Sequence, residues 1–399
     1  MTSQEPLVSI RDLTLHFRTY EGRVKALENV NLKIERGETL GVVGETGCGK
    51  TVASRAIMGL LAPNAMVVSG RIDFSAVGNV LEMSQVQLCA VRGNQVAMIF
   101  QEPGRALNPT MTIGDQIGEA LLLHFRERMT EKGLQLVGDT SALGHEPFWK
   151  RMIFKALSPI HRSLLSAEKK NANQISLRLA RKVPLARAYR AYTALAARAE
   201  AVEMLRKVRM PNPQHAAGQY PHELSGGMKQ RAMIAMALVC NPSLLIADEP
   251  TTALDVTTQL QILKLINELK RQFNMTILLI THNLGVIAEV SSRVAVMYAG
   301  TVVEVADARS LFKNPLHPYT VGLLNAAHEV GGAKELQEIP GMVPNLVNPP
   351  SGCRFHPRCA LAEKICSRAT PRLVEVREGH LVGCFPAQRK FGKLDVMPS

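Results

Sequence analysis

Apolar side chains recur between residues 7 and 34 in short alternating segments, Val8-Ser9-Ile10, Leu13-Thr14-Leu15 and Val30-Asn31-Leu32-Lys33-Ile34, with a polar turn near Glu21-Gly22. Alternation at period two puts one face of a pleated strand into a core, so the pattern predicts antiparallel strands. Residues 39–43 form a run that predicts a buried strand; it leads into a glycine-rich segment at 44–49 and then a helix-compatible stretch to Leu61. Further apolar runs at 244–247 and 276–280 each follow a helical pattern, at 229–239 and 259–271. That order implies parallel pairing through crossovers. Residues 293–298 and 301–305, joined at Ala299-Gly300, predict a terminal hairpin. The stretch from about 113 to 219 is rich in helical pattern, and beyond about Ala327 the chain turns Pro-rich and irregular, with four clustered cysteines. No internal repeat is present.

The 399 residues, 46% hydrophobic, 20% charged and 5% aromatic, suit one large α/β core with attachments and exclude disorder over most of the chain. No apolar run reaches the roughly 18 to 20 residues that span a bilayer. The nearest, 232–247, is broken by Asn241, Pro242 and Ser243. The opening residues Met1-Thr2-Ser3-Gln4-Glu5-Pro6 lack a basic segment followed by an apolar one, so a cytoplasmic location is expected. Seven cysteines without an export signal point to thiols or metal ligands rather than disulfides. The net charge is concentrated: residues 126–192 carry 14 Lys/Arg against 5 Asp/Glu, +9 of the total +13. Such a segment reads either as a solvated helical face or as a surface for nucleic acid or anionic lipid.

Gly44-x-x-x-x-Gly49-Lys50-Thr51 has the spacing of a phosphate-binding loop. Glycines let backbone N–H groups converge on a β-phosphate, and the helix N-terminus that follows adds positive potential. Lys50 is expected to neutralise β/γ oxygens and Thr51 to ligate Mg2+. Binding residues are therefore expected at Gly44, Glu45, Thr46, Gly47, Cys48, Gly49, Lys50, Thr51 and Val52. Residues 244–249, Leu-Leu-Ile-Ala-Asp-Glu, end an apolar strand in two carboxylates. Asp248 would hold the Mg2+ shell and Glu249 would orient water toward a γ-phosphate, since phosphoryl transfer needs chiefly positioning and charge stabilisation. In Leu224-Ser225-Gly226-Gly227, Ser225 reads as an ordinary helix cap, while the glycine pair leaves an exposed helix N-terminus able to receive an anion.

Together these motifs resemble the ATP-binding cassette ATPases over roughly residues 7 to 325. Supporting matches are Gln101 in Phe100-Gln101-Glu102-Pro103, Ala253-Leu254-Asp255, and Thr281-His282. The resemblance implies an α/β P-loop NTPase fold with a RecA-like core, an antiparallel β subdomain and a helical subdomain, plus a Cys-rich C-terminal extension. Domain limits follow as a cassette at 1–326, with its helical part at about 102–240 and a basic insertion at about 126–192, then an extension at 327–399. The resemblance further implies a cassette dimer holding two ATPs, in which Ser225, Gly226 and Gly227 reach the partner's γ-phosphate. Gln101 would sense that phosphate and the Mg2+, His282 would bind it and position water for Glu249, and Asp255 would bridge to the opposing loop. Phe17 would stack on adenine, with Tyr20 as second choice.

A finer resemblance, to dipeptide/oligopeptide and nickel importers, rests on Leu107-Asn108-Pro109, the run at 247–256, Asn314-Pro315-Leu316-His317-Pro318-Tyr319-Thr320 and Gly352-Cys353-Arg354-Phe355-His356-Pro357-Arg358-Cys359. The Ser-Gly-Gly-Met signature is similar to the member usually called the D chain; Asn283 replaces the Asp often found after the switch histidine. This implies two transmembrane permease subunits, a second and paralogous ATPase chain, an external solute-binding protein, and a peripheral position on the cytoplasmic face of the plasma membrane. Cys353, Cys359, Cys366 and Cys384 are separated by 5, 6 and 17 residues. Four thiolates suit Zn2+ or an iron–sulfur cluster, and the missing C-x2-C knuckles argue against a common zinc ribbon; the resemblance implies a [4Fe-4S] cluster, with zinc as the alternative. Within the insertion, Trp149, Met152, Ile153, Ala156, Ile160 and Leu164 share one helical face with Arg151, Lys155 and Arg162 opposite. This basic amphipathic helix is expected either to touch anionic lipid or to pack on the helical lobe or membrane subunits. The competing function is a soluble cassette ATPase acting on nucleic acid or ribosomes; with one cassette and no coiled-coil arm, nucleic acid is not expected.

Overall fold

The computed structural model describes residues 5–75, 77–138, 184–251, 255–328 and 339–395. They divide into two compact units, one of Met1–Gln101, Pro242–Thr252 and Gln259–Ser399, the other of Glu102–Asn241 and Ala253–Thr258. The strands of the first unit are β1 (Val8–Thr19), β2 (Gly22–Ile34), β3 (Thr39–Val43), β4 (Ala65–Phe74), β5 (Gly78–Asn79), β6 (Val96–Ile99), β7 (Leu244–Asp248), β8 (Thr276–Ile280), β9 (Arg293–Tyr298), β10 (Thr301–Asp307), β11 (Val374–Arg377) and β12 (His380–Val382). They form a four-stranded antiparallel sheet, β2-β1-β4-β5, and an eight-stranded sheet, β11-β12-β10-β9-β3-β8-β7-β6.

In the larger sheet β9, β3, β8, β7 and β6 run parallel. Every residue of β3, β6, β7 and β8 is buried, as continuous apolar runs covered on both faces require. In such a sheet ligands bind outside the carboxyl ends of the strands, and the chain leaves those ends at Gly44, Phe100, Glu249 and Thr281.

Several sequence expectations change. The short segments between 7 and 34 are two long strands whose pairing slips at bulges between Ile10 and Leu13, Leu13 and Leu15, and Leu15 and Phe17. These slips break the alternation that a strand's period would otherwise show. The helix after the glycine-rich loop spans Lys50–Ile57 and stops before Leu61. Gly59 takes a left-handed φ of 64° and the Leu60 amide returns to the Arg55 carbonyl, closing the helix end. The hairpin of β9 and β10 is not terminal, because β12 pairs with the outer edge of β10, Glu304 opposite Val382. The C-terminal region thus holds two strands and a helix, Phe385–Lys390, rather than irregular chain alone. Strands of four and three residues offer too few alternations to register as a pattern.

The second unit is helical, with Ile113–His124, Arg126–Gly138, Pro184–Lys207, Pro213–Gly218 and Gly226–Leu238 among its described elements. Leu121, Met129, Ala196, Ala197 and Cys240 form one small core cluster, and Leu134 and Tyr192 another. The two ends of the basic insertion therefore pack as helices within this unit. Gly133 allows the close approach there, since a Cβ would lie 2.2 Å from the Tyr192 carbonyl oxygen. The amphipathic helix expected around 149–164 lies outside the described residues. Among the described residues no helix is long and apolar enough to cross a membrane.

Candidate functional site: a nucleotide-binding centre at the strand ends

The loop after β3 turns on glycine. Gly44 has a φ of 151°, and a Cβ on it would sit 2.1 Å from the Met297 carbonyl oxygen; Gly49 has a φ of 101° and caps the helix Lys50–Ile57. Both conformations are open to glycine and costly to other residues. The loop folds back on Lys50, whose buried ammonium donates to the Gly44 carbonyl at 2.7 Å and the Glu45 carbonyl at 3.0 Å. Thr51 Oγ1 donates to Asp248 Oδ1 at 3.2 Å, bringing a hydroxyl and a carboxylate together. Burial, and to a smaller degree the adjacent Glu249 charge, push the Asp248 carboxyl above its usual range against the hydrogen bond from Thr51. A hydroxyl and a carboxylate oxygen are the hard donors that Mg2+ takes, and these two residues fit that ion.

The three side chains expected to serve hydrolysis, Gln101, Glu249 and His282, meet at Glu249. Gln101, just beyond β6, donates from Nε2 to Glu249 Oε2 at 2.9 Å, and His282, just beyond β8, lies with Nδ1 3.2 Å from Glu249 Oε1. Glu249 has a φ of 48°, left-handed for a non-glycine residue, and its amide is fixed to the Ile280 carbonyl at 2.8 Å. Such strain persists where surrounding structure imposes it, and it clusters at functional sites. Lys50, Thr51, Asp248, Gln101, Glu249 and His282 therefore issue from the ends of four adjacent strands, β3, β8, β7 and β6. The arrangement can hold a polyphosphate and a divalent cation on one side and a carboxylate base on the other.

In the helical unit, exposed Ser225 caps Gly226–Leu238, its Oγ accepting from the Met228 amide at 3.4 Å, with Gly226 and Gly227 opening the first turn. Exposed Asp255 also acts as a cap, accepting from the Thr258 amide at 2.9 Å, and these local hydrogen bonds hold its carboxyl below the usual range. Phe17 sits in β1 opposite Val24 and Ala65, half-buried against the core, while Tyr20 stands fully exposed at the following turn. Cys48 is buried within the loop, and Cys240 belongs to the helical core.

Cys353, Cys359, Cys366 and Cys384 line one small pocket with His317, Phe355 and Phe385. Burial, and secondarily the charge of the neighbouring thiols, push Cys353 up to about 11 and Cys384 up to about 12. These soft donors suit a thiophilic metal centre. Among the described residues, however, no group of three or more His, Cys, Asp or Glu side chains stands in ligating geometry. The donor set fits such a centre while its geometry does not yet form one.

Two arginines within the cysteine segment escaped the sequence reading. Arg358 forms a two-pronged ion pair with Glu45 of the phosphate loop, and Arg354 bonds the Ala299 and Lys25 carbonyls and Glu28. The available signal was two cations inside a Pro- and Cys-rich run, with nothing in the sequence to name their partners.

A family model described as ABC transporter matches residues 27–252, more than half of the chain. The chain belongs to the ABC transporter family. A second model, for the oligopeptide/dipeptide transporter C-terminal region, matches residues 303–366 of this ABC protein. The chain is 40% identical over 384 residues to the dipeptide transport ATP-binding protein DppD of Bacillus subtilis, covering 96% of this chain and 95% of that one. It is 41% identical over 385 residues to the oligopeptide transport ATP-binding protein OppD of Escherichia coli, covering 96% and 93%. An ATP-binding cassette solved as a dimer in a post-hydrolysis state with ADP and Pi shares the fold, with a TM-score of 0.52 at 22% identity over 76% of this chain and 99% of that one. The cassette is thus an ABC ATPase, and none of these matches supports an action on nucleic acid.

Proposed function

We propose that this ABC ATPase powers the import of peptides, hydrolysing ATP beneath two membrane-spanning permease subunits on the cytoplasmic face of the membrane. The peptide class is supported by the names and near full-length coverage of the dipeptide and oligopeptide relatives. The observation that carries the ATPase reading is the clasp on Glu249: one carboxylate held by Gln101 at 2.9 Å and His282 at 3.2 Å, one residue from the Mg2+-type pair of Asp248 and Thr51. In this mechanism the loop amides and Lys50 bind the β/γ oxygens. Thr51 and Asp248, with Gln101, would hold Mg2+, which when bound would supply positive charge against the phosphates. Glu249 accepts a proton from the attacking water while His282 and Gln101 fix the carboxylate and contact the γ-phosphate.

Ser225, Gly226 and Gly227 act in trans in this reading: the exposed helix start they form receives the γ-phosphate of ATP bound to a second, paralogous cassette, and Asp255 meets the opposing loop. Phe17 stacks on the adenine. An external solute-binding protein delivers the peptide to the permeases, and the basic insertion at 126–192 contacts them or anionic headgroups. Cys353, Cys359, Cys366 and Cys384 are the residues that would hold a [4Fe-4S] cluster, which when bound would staple the C-terminal segment; iron, sulfide and zinc analysis of the purified chain separates this from a zinc site.

Glu249→Gln tests the assignment, because it keeps the shape and removes the base. ATP should still bind while turnover falls by roughly 100-fold or more, as loss of a general base does. Hydrolysis at the wild-type rate in that variant would remove Glu249 from the role.

A further inference from the structure

The nucleotide loop is gripped from the cysteine segment, and the grip is built around a charge. Glu45, the second residue of the loop, places a carboxylate beside the binding site for a highly anionic ligand. Arg358, 6% exposed, meets it with both arms: Nη1 to Glu45 Oε2 at 2.8 Å and Nη2 to Glu45 Oε1 at 3.2 Å. The guanidinium is itself fixed, donating through Nε to the Pro340 carbonyl at 2.9 Å and through Nη2 to the Ile339 carbonyl at 3.1 Å, with its carbon 5.8 Å from the centre of the Tyr298 ring. Tyr319 takes the other end of Glu45, its hydroxyl accepting from the Glu45 amide at 2.9 Å. Tyr298, Tyr319 and Phe355 pack as one aromatic group with centroids 4.6 to 5.5 Å apart, making a rigid base for the contact.

We propose that Arg358 is a positioning residue for nucleotide binding: it neutralises Glu45 and holds the loop open to phosphate, tying the loop to the segment that carries Cys353 and Cys359. A free carboxylate there would repel ATP and draw Lys50 or the loop amides toward itself. A two-pronged, charge-assisted pair with a preset guanidinium prevents both. The second arginine strengthens the tie. Arg354, 6% exposed at its side chain, bonds the Ala299 carbonyl and pairs with Glu28 at 3.1 Å, while the next residue, Gly300, donates its amide to the loop's Cys48 carbonyl at 2.9 Å. Because Arg354 and Arg358 each adjoin a cysteine of the pocket, the conformation of residues 353–359 is communicated to residues 44–49, and nucleotide binding acts back on the cysteine segment.

This role rests on the nucleotide reading of the loop, so ATP binding by the wild-type full-length chain is the control; its absence would sink that reading rather than this one. Arg358→Gln should weaken equilibrium binding of Mg-ATP by about tenfold, within the usual span of coupling between sites, and raise KM with little change in kcat at saturation. In the Glu45→Gln background the same substitution should change affinity by less than about twofold, since no carboxylate remains to neutralise. An equal loss in both backgrounds, or unchanged affinity in the single variant, overturns the proposal. Should Arg358→Gln not fold, Arg358→Lys keeps a cation without the two-armed geometry. It should still weaken Mg-ATP several-fold with Glu45 present and speed amide exchange across residues 44–49; neither change occurring would equally overturn the proposal.

Discussion

Glu249 shows how a backbone held out of the ordinary range sets one carboxylate between two partners. With a φ of 48° its side chain leaves the end of β7 between Gln101 and His282. His282 is 64% exposed at its side chain whereas Glu249 is 19% exposed, so the imidazole stands where it can touch both carboxylate and ligand. His282→Ala should lower kcat by roughly 100-fold, in the range of a lost proton-transfer or positioning group, while Mg-ATP affinity changes far less. Steady-state kinetics beside equilibrium binding checks this; a variant that turned over normally would leave His282 a bystander. That Lys50, Thr51, Asp248 and Glu249 come together at the strand ends was legible because spacing and strand context express it. The Glu45–Arg358 pair was not, since its partners lie 313 positions apart and ion pairing leaves no local period.

At the scale of elements, legibility followed unbroken apolar runs: β4, ten residues long but exposed from Val67 to Arg71, was not read from the sequence. The apolar runs of β3, β7 and β8 were visible because both faces are buried, and their helical connections gave the parallel order. The short β11 and β12 were invisible, yet they complete the sheet at β10 through a buried polar node. Burial opposes the charge on Glu304, but hydrogen bonds from His380 and the amides of His317 and Leu316 outweigh it and hold its carboxyl below the usual range. Fully enclosed His317 is driven by burial down to about 4 from 6.5. Both shifts have the same sign of consequence. The unfolded chain binds more protons than the folded one, so stability is present near neutrality; the His317 part falls as pH drops from 6.5 through about 4, and the Glu304 part falls only below 4.5. Thermal melts across that window should show the wild type losing stability steadily on acidification. Glu304→Gln should start lower at neutral pH, because a buried carboxylate partner is gone, and show a shallower slope only below 4.5, where that carboxylate would take up its proton. Parallel slopes would remove Glu304 from the node's titration.

Across the whole chain, charge and motif proved separable. The basic excess at 126–192 suggested nucleic acid, but its described ends bury Met129, Leu134 and Tyr192 in the helical unit, and the family matches concern transport. Composition alone could not make that distinction, because a solvated helical face and a polyanion-binding face share the same residues. The two family matches, at 27–252 and 303–366, instead join the nucleotide centre to the C-terminal region in one protein, as the ion pair from Arg358 in the second to Glu45 in the first does physically. The most direct measurement is peptide uptake into proteoliposomes holding the complete importer, with the wild-type chain or Glu249→Gln and ATP enclosed on the cassette side. ATP-dependent peptide accumulation that is lost in the variant, together with hydrolysis, is the predicted result; undiminished accumulation in the variant would contradict it.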